Sequence, residues 1–166
     1  MSNTKNYILS KEVTMKKLRR MAYEILEKNI AENEIILAGI WESGVVVART
    51  IQEILKEISS LKTELIMLKL DKKNPKEVLV DPAVDFSGKV IILVDDVSNS
   101  GKTLLYALKP FLDTHPKKIQ TLVLVERSHS YFPVRPDYVG VSLSTTIQEH
   151  VFVEVNGDVV MGAYLE

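Results

Sequence analysis

Short apolar runs alternate along the chain with stretches that repeat their apolar residues at helical spacing. The apolar runs predict buried strands at 35–40, 65–70, 90–94 and 121–125. The helical spacing predicts an amphipathic helix capped by Ser10 and further helices at 45–58 and 103–112. Because strand and helix alternate, the pattern predicts βαβ units with right-handed crossovers and an α/β fold around a mostly parallel sheet.

Two other segments depart from this alternation. Residues 71–88 hold two prolines and many charges without a sustained period, which predicts a long loop or loose hairpin. Near the carboxyl end, apolar stretches at 151–155 and 159–164 flank Asn156-Gly157, a strong hairpin signal. With no internal repeat or evident linker, the 166 residues are interpreted as a single domain over 1–166.

Composition narrows the classes of protein. Lysine and arginine number 21 against 22 acidic residues, so the formal net charge is −1 and a strongly basic nucleic-acid coat is not expected. The count of cysteines is 0, which excludes thiol nucleophiles, thiolate zinc sites and disulfides and suits a reducing cytoplasm. Neither a signal core nor an apolar stretch near the ~20 residues of a membrane span is found, so no membrane role is expected.

The strongest candidate chemistry lies at 90–103, where the apolar strand runs into Asp95-Asp96 and then into small residues before a helix. In open α/β sheets, ligands bind beyond the carboxyl ends of the strands. Loop and helix N-terminal amides suit a phosphate, and the Ser100 and Thr103 hydroxyls add donors. The two carboxylates would repel that phosphate, so they are expected to face hydroxyl groups or a cation. A sugar phosphate satisfies both halves.

This segment resembles the phosphoribosyl-diphosphate (PRPP) signature of type I phosphoribosyltransferases. A rival phosphate motif, the P-loop, also ends in Gly-Lys-Thr, but it requires glycine where Asp96 stands. The segment 127–140, the first helix and the final hairpin extend the likeness over nearly the whole chain. They are similar to the bifunctional uracil phosphoribosyltransferase and pyrimidine-operon attenuation regulator family. The resemblance implies the type I phosphoribosyltransferase fold, with a small C-terminal hood contributed by about 126–166.

The resemblance also implies roles for individual residues. The acidic pair, Asp95 and Asp96, would hold the ribose hydroxyls of PRPP as the catalytic residues, and Mg²⁺ would bind through PRPP rather than directly to the protein. The base would meet Asn99 and Val151, the latter within a recognition segment at 144–151. The 5-phosphate would lie in a phosphate loop formed by Val97, Ser98, Asn99, Ser100, Gly101, Lys102 and Thr103. The pyrophosphate turn would be Trp41, Glu42, Ser43 and Gly44, and the flexible flap would be 71–88.

The sequence departs from the family pattern at two places. Where the regulators commonly carry Thr-Arg-Gly in the pyrophosphate turn, this chain has Glu42-Ser43-Gly44, so pyrophosphate should be held less firmly. Near the start of the flap, the expected Arg-Asp-Asp reads Asp71-Lys72-Lys73 after Leu70. Lys72 or Lys73 would supply the lost charge as a mobile ammonium, or both would be solvated loop residues.

Three functions remain open. The first is transfer of the phosphoribosyl group of PRPP to a nucleobase, uracil before others, with release of pyrophosphate. The second is a catalytically weak, RNA-binding or nucleotide-sensing regulator, against which the net charge and Val141, where regulators tend to carry lysine, both argue. The third is a purine phosphoribosyltransferase, disfavoured by Asn99 where purine-using relatives usually carry aspartate. The family likeness also implies a homodimer or higher homo-oligomer in the cytoplasm.

Overall fold

A six-stranded sheet with helices on both faces forms the centre of the protein in the computed structural model, which describes residues 5–146 and 148–166. The helices are α1 (Lys11–Lys28), α2 (Ser43–Ile58), α3 (Lys102–Ala107) and α4 (Lys109–Leu112). The strands are β1 (Asn6–Leu9), β2 (Glu34–Ile40), β3 (Lys62–Lys69), β4 (Leu79–Asp81), β5 (Val90–Ser98), β6 (Lys118–Arg127), β7 (Tyr138–Leu143), β8 (Val151–Asn156) and β9 (Val159–Leu165).

The large sheet has the order β4-β3-β2-β5-β6-β7, in which all neighbours are parallel except the pair β3 and β4. The predicted α/β fold with a mostly parallel sheet is therefore confirmed. β5 lies between β2 and β6, so both of its edges are hydrogen-bonded, as its continuous apolar run predicts.

Alternate residues of each strand point to opposite sides of this sheet, so both of its faces are apolar. Helices cover each face. On one face, Leu37 of β2 packs in a cluster with α1 and α2. On the other face, Ile36 and Ala38 pack with α3, α4 and the edge-to-face rings of Phe86 and Phe111. The two layers hold the carboxyl end of β5 in place.

The smaller sheet has the order β1-β9-β8. Its hairpin of β8 and β9 turns at Gly157, which has a φ of 59°, and confirms the prediction from Asn156-Gly157. The hood predicted over 126–166 is nevertheless formed by a different set of strands. β7 pairs with β6 in the large sheet, and β1 joins β9 from the other end of the chain. Both differences arise from strand pairing: β7 with β6, and β1 with β9.

Several predicted boundaries require correction. The helix predicted at 103–112 is two short helices, because the chain bends between Ala107 and Lys109 ahead of Pro110, whose nitrogen cannot donate. β5 continues through Asp95 and Asp96 to Ser98. The 71–88 segment does form a hairpin, because β4 pairs antiparallel with β3.

Ser10 caps α1 as predicted, since its Oγ accepts the Val13 N–H at 3.2 Å. Among the described residues, no helix is both long and apolar enough to cross a bilayer.

Candidate active site

The acidic pair lies within β5 rather than after it. Asp95 is 1% exposed, and its Oδ1 accepts the backbone N–H of Asp96 at 2.9 Å. Asp96 is half-buried, and its Oδ1 accepts the N–H of Val97 at 2.8 Å. Each carboxylate therefore uses its neighbour's amide to fix its own position at the end of a central strand.

A cation from the flap reaches both carboxylates. The Nζ of Lys72 lies 3.3 Å and 3.5 Å from the two carboxylate oxygens of Asp95 and 3.6 Å from Oδ1 of Asp96. Burial and the Asp96 carboxylate hold the pKa of Asp95 well above its usual range, although the Lys72 ammonium opposes this. Desolvation lowers the pKa of Lys72, but the two carboxylates outweigh it and raise the pKa above its ordinary value. The pair is thus a high-energy anionic site with one cation against it.

The phosphate loop follows directly. Gly101 has a φ of 84°, a left-handed conformation that glycine adopts without strain, and α3 begins at the next residue. The Ser100 carbonyl accepts the N–H groups of Tyr131 at 2.9 Å and Phe132 at 3.0 Å. A cavity of about 250 Å³ opens here, lined by Lys72, Asp95 and residues 97–104. Asp95 and the predicted phosphate loop therefore line one cavity, whereas Asp96 is not among its lining residues.

The pyrophosphate turn lies against the acidic pair from the β2 side. Gly44 is packed so closely that a Cβ there would lie 2.8 Å from the Val94 carbonyl oxygen and 3.2 Å from Oδ1 of Asp95. The Trp41–Glu42 peptide bond is cis, and the Trp41 N–H donates to the Leu68 carbonyl at 2.8 Å. Glycine at position 44 is what allows this turn to touch β5.

Trp41 of the turn is 46% exposed, and the Lys69 ammonium lies 5.5 Å from the centroid of its ring. Glu42 is exposed and Ser43 half-buried, so the turn itself offers no positive side chain. Lys73 is exposed and its backbone N–H donates to Asp71. Of the two predicted flap lysines, Lys72 is the one that the structure brings to the carboxylates.

A second cavity, of about 160 Å³, adjoins the phosphate loop and shares Asn99 and Ser100 with it. Arg127 at the end of β6 crosses this cavity: its Nε donates to Thr145 Oγ1 at 2.8 Å and its Nη1 to Asn99 Oδ1 at 3.4 Å. The remaining lining residues are His129, Tyr131 and Thr145.

Of the predicted base-binding residues, Asn99 lines this second cavity, whereas Val151 does not and is buried in the core at the start of β8. Ile147, within the recognition segment 144–151, lies outside the described residues. Sequence reasoning missed Arg127. The signal was available, because Arg127 ends the buried strand β6 just as Asp95-Asp96 lie near the end of β5, and strand ends meet at one edge of a parallel sheet.

No group of three or more histidine, aspartate or glutamate side chains that could hold a metal occurs at 5–146 or 148–166. The adjacent carboxylates of Asp95, which lines the cavity of about 250 Å³, and Asp96 fit Mg²⁺ that arrives with its substrate, since Mg²⁺ is usually held by one or two carboxylates plus substrate phosphates. Asp95 and Asp96 are the residues that would face such an ion or the hydroxyls beside it.

The sheet order, the acidic pair and the glycine-containing phosphate loop define a phosphoribosyltransferase. Residues 6–156 match the phosphoribosyl transferase domain family. The chain belongs to this family and is a type I phosphoribosyltransferase, an enzyme class that uses PRPP.

Among its relatives, the chain is similar to the bifunctional protein PyrR of Streptococcus equi subsp. zooepidemicus, with 38% identity over 159 residues that cover 91% of each chain. It is 36% identical over 151 residues to the same protein of Streptococcus pneumoniae, covering 87% of each.

Solved structures agree on the fold. The hypoxanthine phosphoribosyltransferase of Trypanosoma cruzi superposes with a TM-score of 0.77 at 15% identity, covering 95% of this chain and 96% of that one. A hypoxanthine-guanine phosphoribosyltransferase of Bacillus anthracis gives a TM-score of 0.71 at 21% identity, covering 84% and 82%.

Proposed function

We propose that the protein transfers the phosphoribosyl group of Mg²⁺-bound PRPP to uracil and releases pyrophosphate. The observation that carries the proposal is the pair of adjoining cavities that share Asn99 and Ser100. One cavity is lined by Asp95 and by the loop at 97–103, which together suit a sugar phosphate. The other, at about 160 Å³, is small and has polar side chains, which suits a pyrimidine.

In this reaction the nitrogen of the base attacks the anomeric carbon of PRPP, the bond to pyrophosphate breaks, and the base loses its N–H proton. Asp95 and Asp96 would accept hydrogen bonds from the ribose hydroxyls, and the loop at 97–103 would hold the 5-phosphate. Fixing both ends of the ribose aligns the carbon with the base. Mg²⁺ would supply charge neutralisation at the departing pyrophosphate.

Uracil is favoured for a further reason. The relative named PyrR matches 91% of the chain, and Asn99 offers both a donor and an acceptor at the junction of the two cavities. Arg127 adds a fixed cation, held by Thr145 and by the Thr146 carbonyl at 2.7 Å. A carbonyl-rich base such as uracil can accept from these donors.

The test is nucleotide formation from PRPP, Mg²⁺ and each of uracil, hypoxanthine, guanine and adenine. We expect UMP from uracil and little product from the purines. Asp96→Asn is the matched control, because it keeps the shape of a half-buried side chain. It weakens charge-assisted hydrogen bonds worth about 1.5–3 kcal/mol, so nucleotide formation should slow by roughly 10- to 150-fold. Product from none of the bases would refute the proposal, and product from purines alone would replace uracil.

A regulatory role is the second candidate, since the match covers 91% of a relative named as a bifunctional protein. Three of the basic residues of α1 are in ion pairs, however: Lys16 pairs with Glu12, Arg19 with Glu57, and Arg20 with Glu24. We therefore propose at most weak RNA binding. Titration of a pyrimidine-operon leader RNA with and without UMP, at low and moderate salt, tests it, because phosphate contacts make affinity fall steeply with salt. Tight, UMP-dependent binding at moderate salt would overturn this view.

We also propose a cytoplasmic homodimer or larger homo-oligomer, as the family likeness implies. Sedimentation equilibrium measures the assembly directly, and a monomer at micromolar concentration would contradict it.

A further inference from the structure

The contact between Lys72 and the acidic pair places a cation where the substrate would bind. Apart from the amide of the following residue, the described partner of each carboxylate is this ammonium, at 3.3 Å from Asp95 and 3.6 Å from Asp96. Ribose hydroxyls that donate to the same oxygens would compete with this ammonium.

The local structure allows the hydroxyls to replace the ammonium in an exchange of partners. Lys72 belongs to the irregular stretch between β3 and β4, and its side chain is 47% exposed, so it can move on its flexible stem. Asp95, by contrast, is fixed in a central strand and almost fully buried. The lysine is the mobile member of the pair.

The displaced ammonium also has a destination nearby. Gly44 of the pyrophosphate turn packs against Asp95, so pyrophosphate bound at this turn would lie next to the acidic pair. The turn carries Glu42 and Ser43 rather than a cation, and a pyrophosphate group needs positive charge. Leaving a desolvated carboxylate or ammonium without a partner is costly, so the exchange is favourable when both acquire new partners together.

We propose that Lys72 is a substrate-discriminating residue that changes partner on binding: ribose hydroxyls replace it on Asp95 and Asp96, and it moves to the pyrophosphate of PRPP. This proposal rests on the proposed function. It means that a ribose ligand without pyrophosphate competes with Lys72, whereas PRPP recruits it. The flap lysine thus favours substrate over ligands that merely share its ribose phosphate.

The test measures the binding of ribose 5-phosphate and of PRPP, each with Mg²⁺ and without a base, by isothermal calorimetry. In Lys72→Met we expect PRPP to bind about fivefold more weakly, and ribose 5-phosphate about fivefold more tightly, as for a half-exposed ion pair worth up to ~1 kcal/mol. Lys72→Gln, which keeps a donor without the charge, should change both in the same directions but less.

Lys89→Met is the matched control. Lys89 is a similarly exposed lysine in an ion pair of 3.4 Å with Glu34, and it immediately precedes β5, at the opposite end from the acidic pair. Its removal should leave both affinities unchanged.

Hydrogen exchange of residues 71–78 gives an independent readout. Ribose 5-phosphate should increase exchange there in the unmodified protein by releasing Lys72, and PRPP should decrease it. In Lys72→Met, exchange should be high before any ligand is added.

The outcomes distinguish failure of the proposed function from failure of the Lys72 exchange. If neither ligand binds the unmodified protein, the proposed function fails. If both bind but Lys72→Met weakens them equally, or changes neither, the exchange of partners is overturned while the proposed function stands.

Discussion

The two halves of the site are built differently. The half that would hold the ribose 5-phosphate, formed by the acidic pair and the phosphate loop, belongs to a strand paired on both edges. The half that would hold pyrophosphate, formed by the turn at 41–44 and the flap, is made of connections, with an exposed Trp41 and a half-exposed Lys72. The sequence also departs from the family pattern in this second half. A strand paired on both edges would thus hold the ribose 5-phosphate, and connections between strands would hold the pyrophosphate.

The largest effect is expected in the rigid half. Asp95→Asn should weaken PRPP binding by roughly 10- to 150-fold, because it removes charge-assisted hydrogen bonds to the ribose hydroxyls. Calorimetric titration with PRPP and Mg²⁺ measures it. Binding within a factor of two of the unmodified protein would show that the acidic pair does not contact the ribose.

The same substitution should not destabilise the fold at neutral pH. The pKa of Asp95 is raised in the folded protein, so the folded state binds the proton more tightly than the unfolded state, and the carboxylate's contribution to stability declines as pH rises above its unfolded pKa. Asp95→Asn lacks this decline. Its unfolding free energy, relative to the unmodified protein, should therefore increase with pH above about 4. Denaturant unfolding at several pH values measures the difference, and a difference that shrinks with pH would contradict it.

Gly44→Ala tests whether the two halves act as one site. The added Cβ would lie 2.8 Å from the Val94 carbonyl oxygen and 3.1 Å from the Asp95 Cα, both backbone atoms that cannot move aside cheaply. We expect a loss of about 1–3 kcal/mol in unfolding free energy and a clear loss of PRPP affinity. Gly157→Ala is the control: it strains a φ of 59° in open space and should cost stability without affecting affinity. Unchanged PRPP binding in Gly44→Ala would show that the turn is not part of the site.

Ser43→Arg would place a cation in the pyrophosphate turn. PRPP should bind about fivefold more tightly, as for an exposed charge pair worth up to ~1 kcal/mol, and ribose 5-phosphate should be unaffected. Ser43→Gln, long but uncharged, controls for size. Equal gains for both ligands would place the new charge near the 5-phosphate instead.

The smallest effect is expected from Lys69→Met, which removes the cation beside the Trp41 ring. An exposed cation–π contact of about 0.5 kcal/mol corresponds to roughly a twofold change in the equilibrium between conformations of the turn. PRPP affinity should therefore fall by no more than about twofold. Trp41 is the single tryptophan of the sequence, so intrinsic fluorescence reports on the turn directly. A tenfold loss of affinity would mean that Lys69 itself binds pyrophosphate.

Local patterns predicted the elements with strong periodicity. The buried run before Asp95, the Ser10 cap and the Asn156-Gly157 turn each depend on residues close in sequence, and each is confirmed. The edge strands β1, β4 and β7 were not predicted as strands. They are short, at three to six residues, and they form because a partner strand is present rather than because of their own propensity.

For the site, the local pattern predicted the acidic pair and the phosphate loop as neighbours at the end of β5, because both depend on residues close in sequence. Only the tertiary structure decided which flap lysine meets the carboxylates, that Arg127 enters the second cavity, and that Val151 lies in the core. Those outcomes depend on how loops from separate strands converge at one edge of the sheet. A linear pattern identifies the residue types present, but the distance between Lys72 and Asp95 exists only once β3 and β5 have taken their places beside β2.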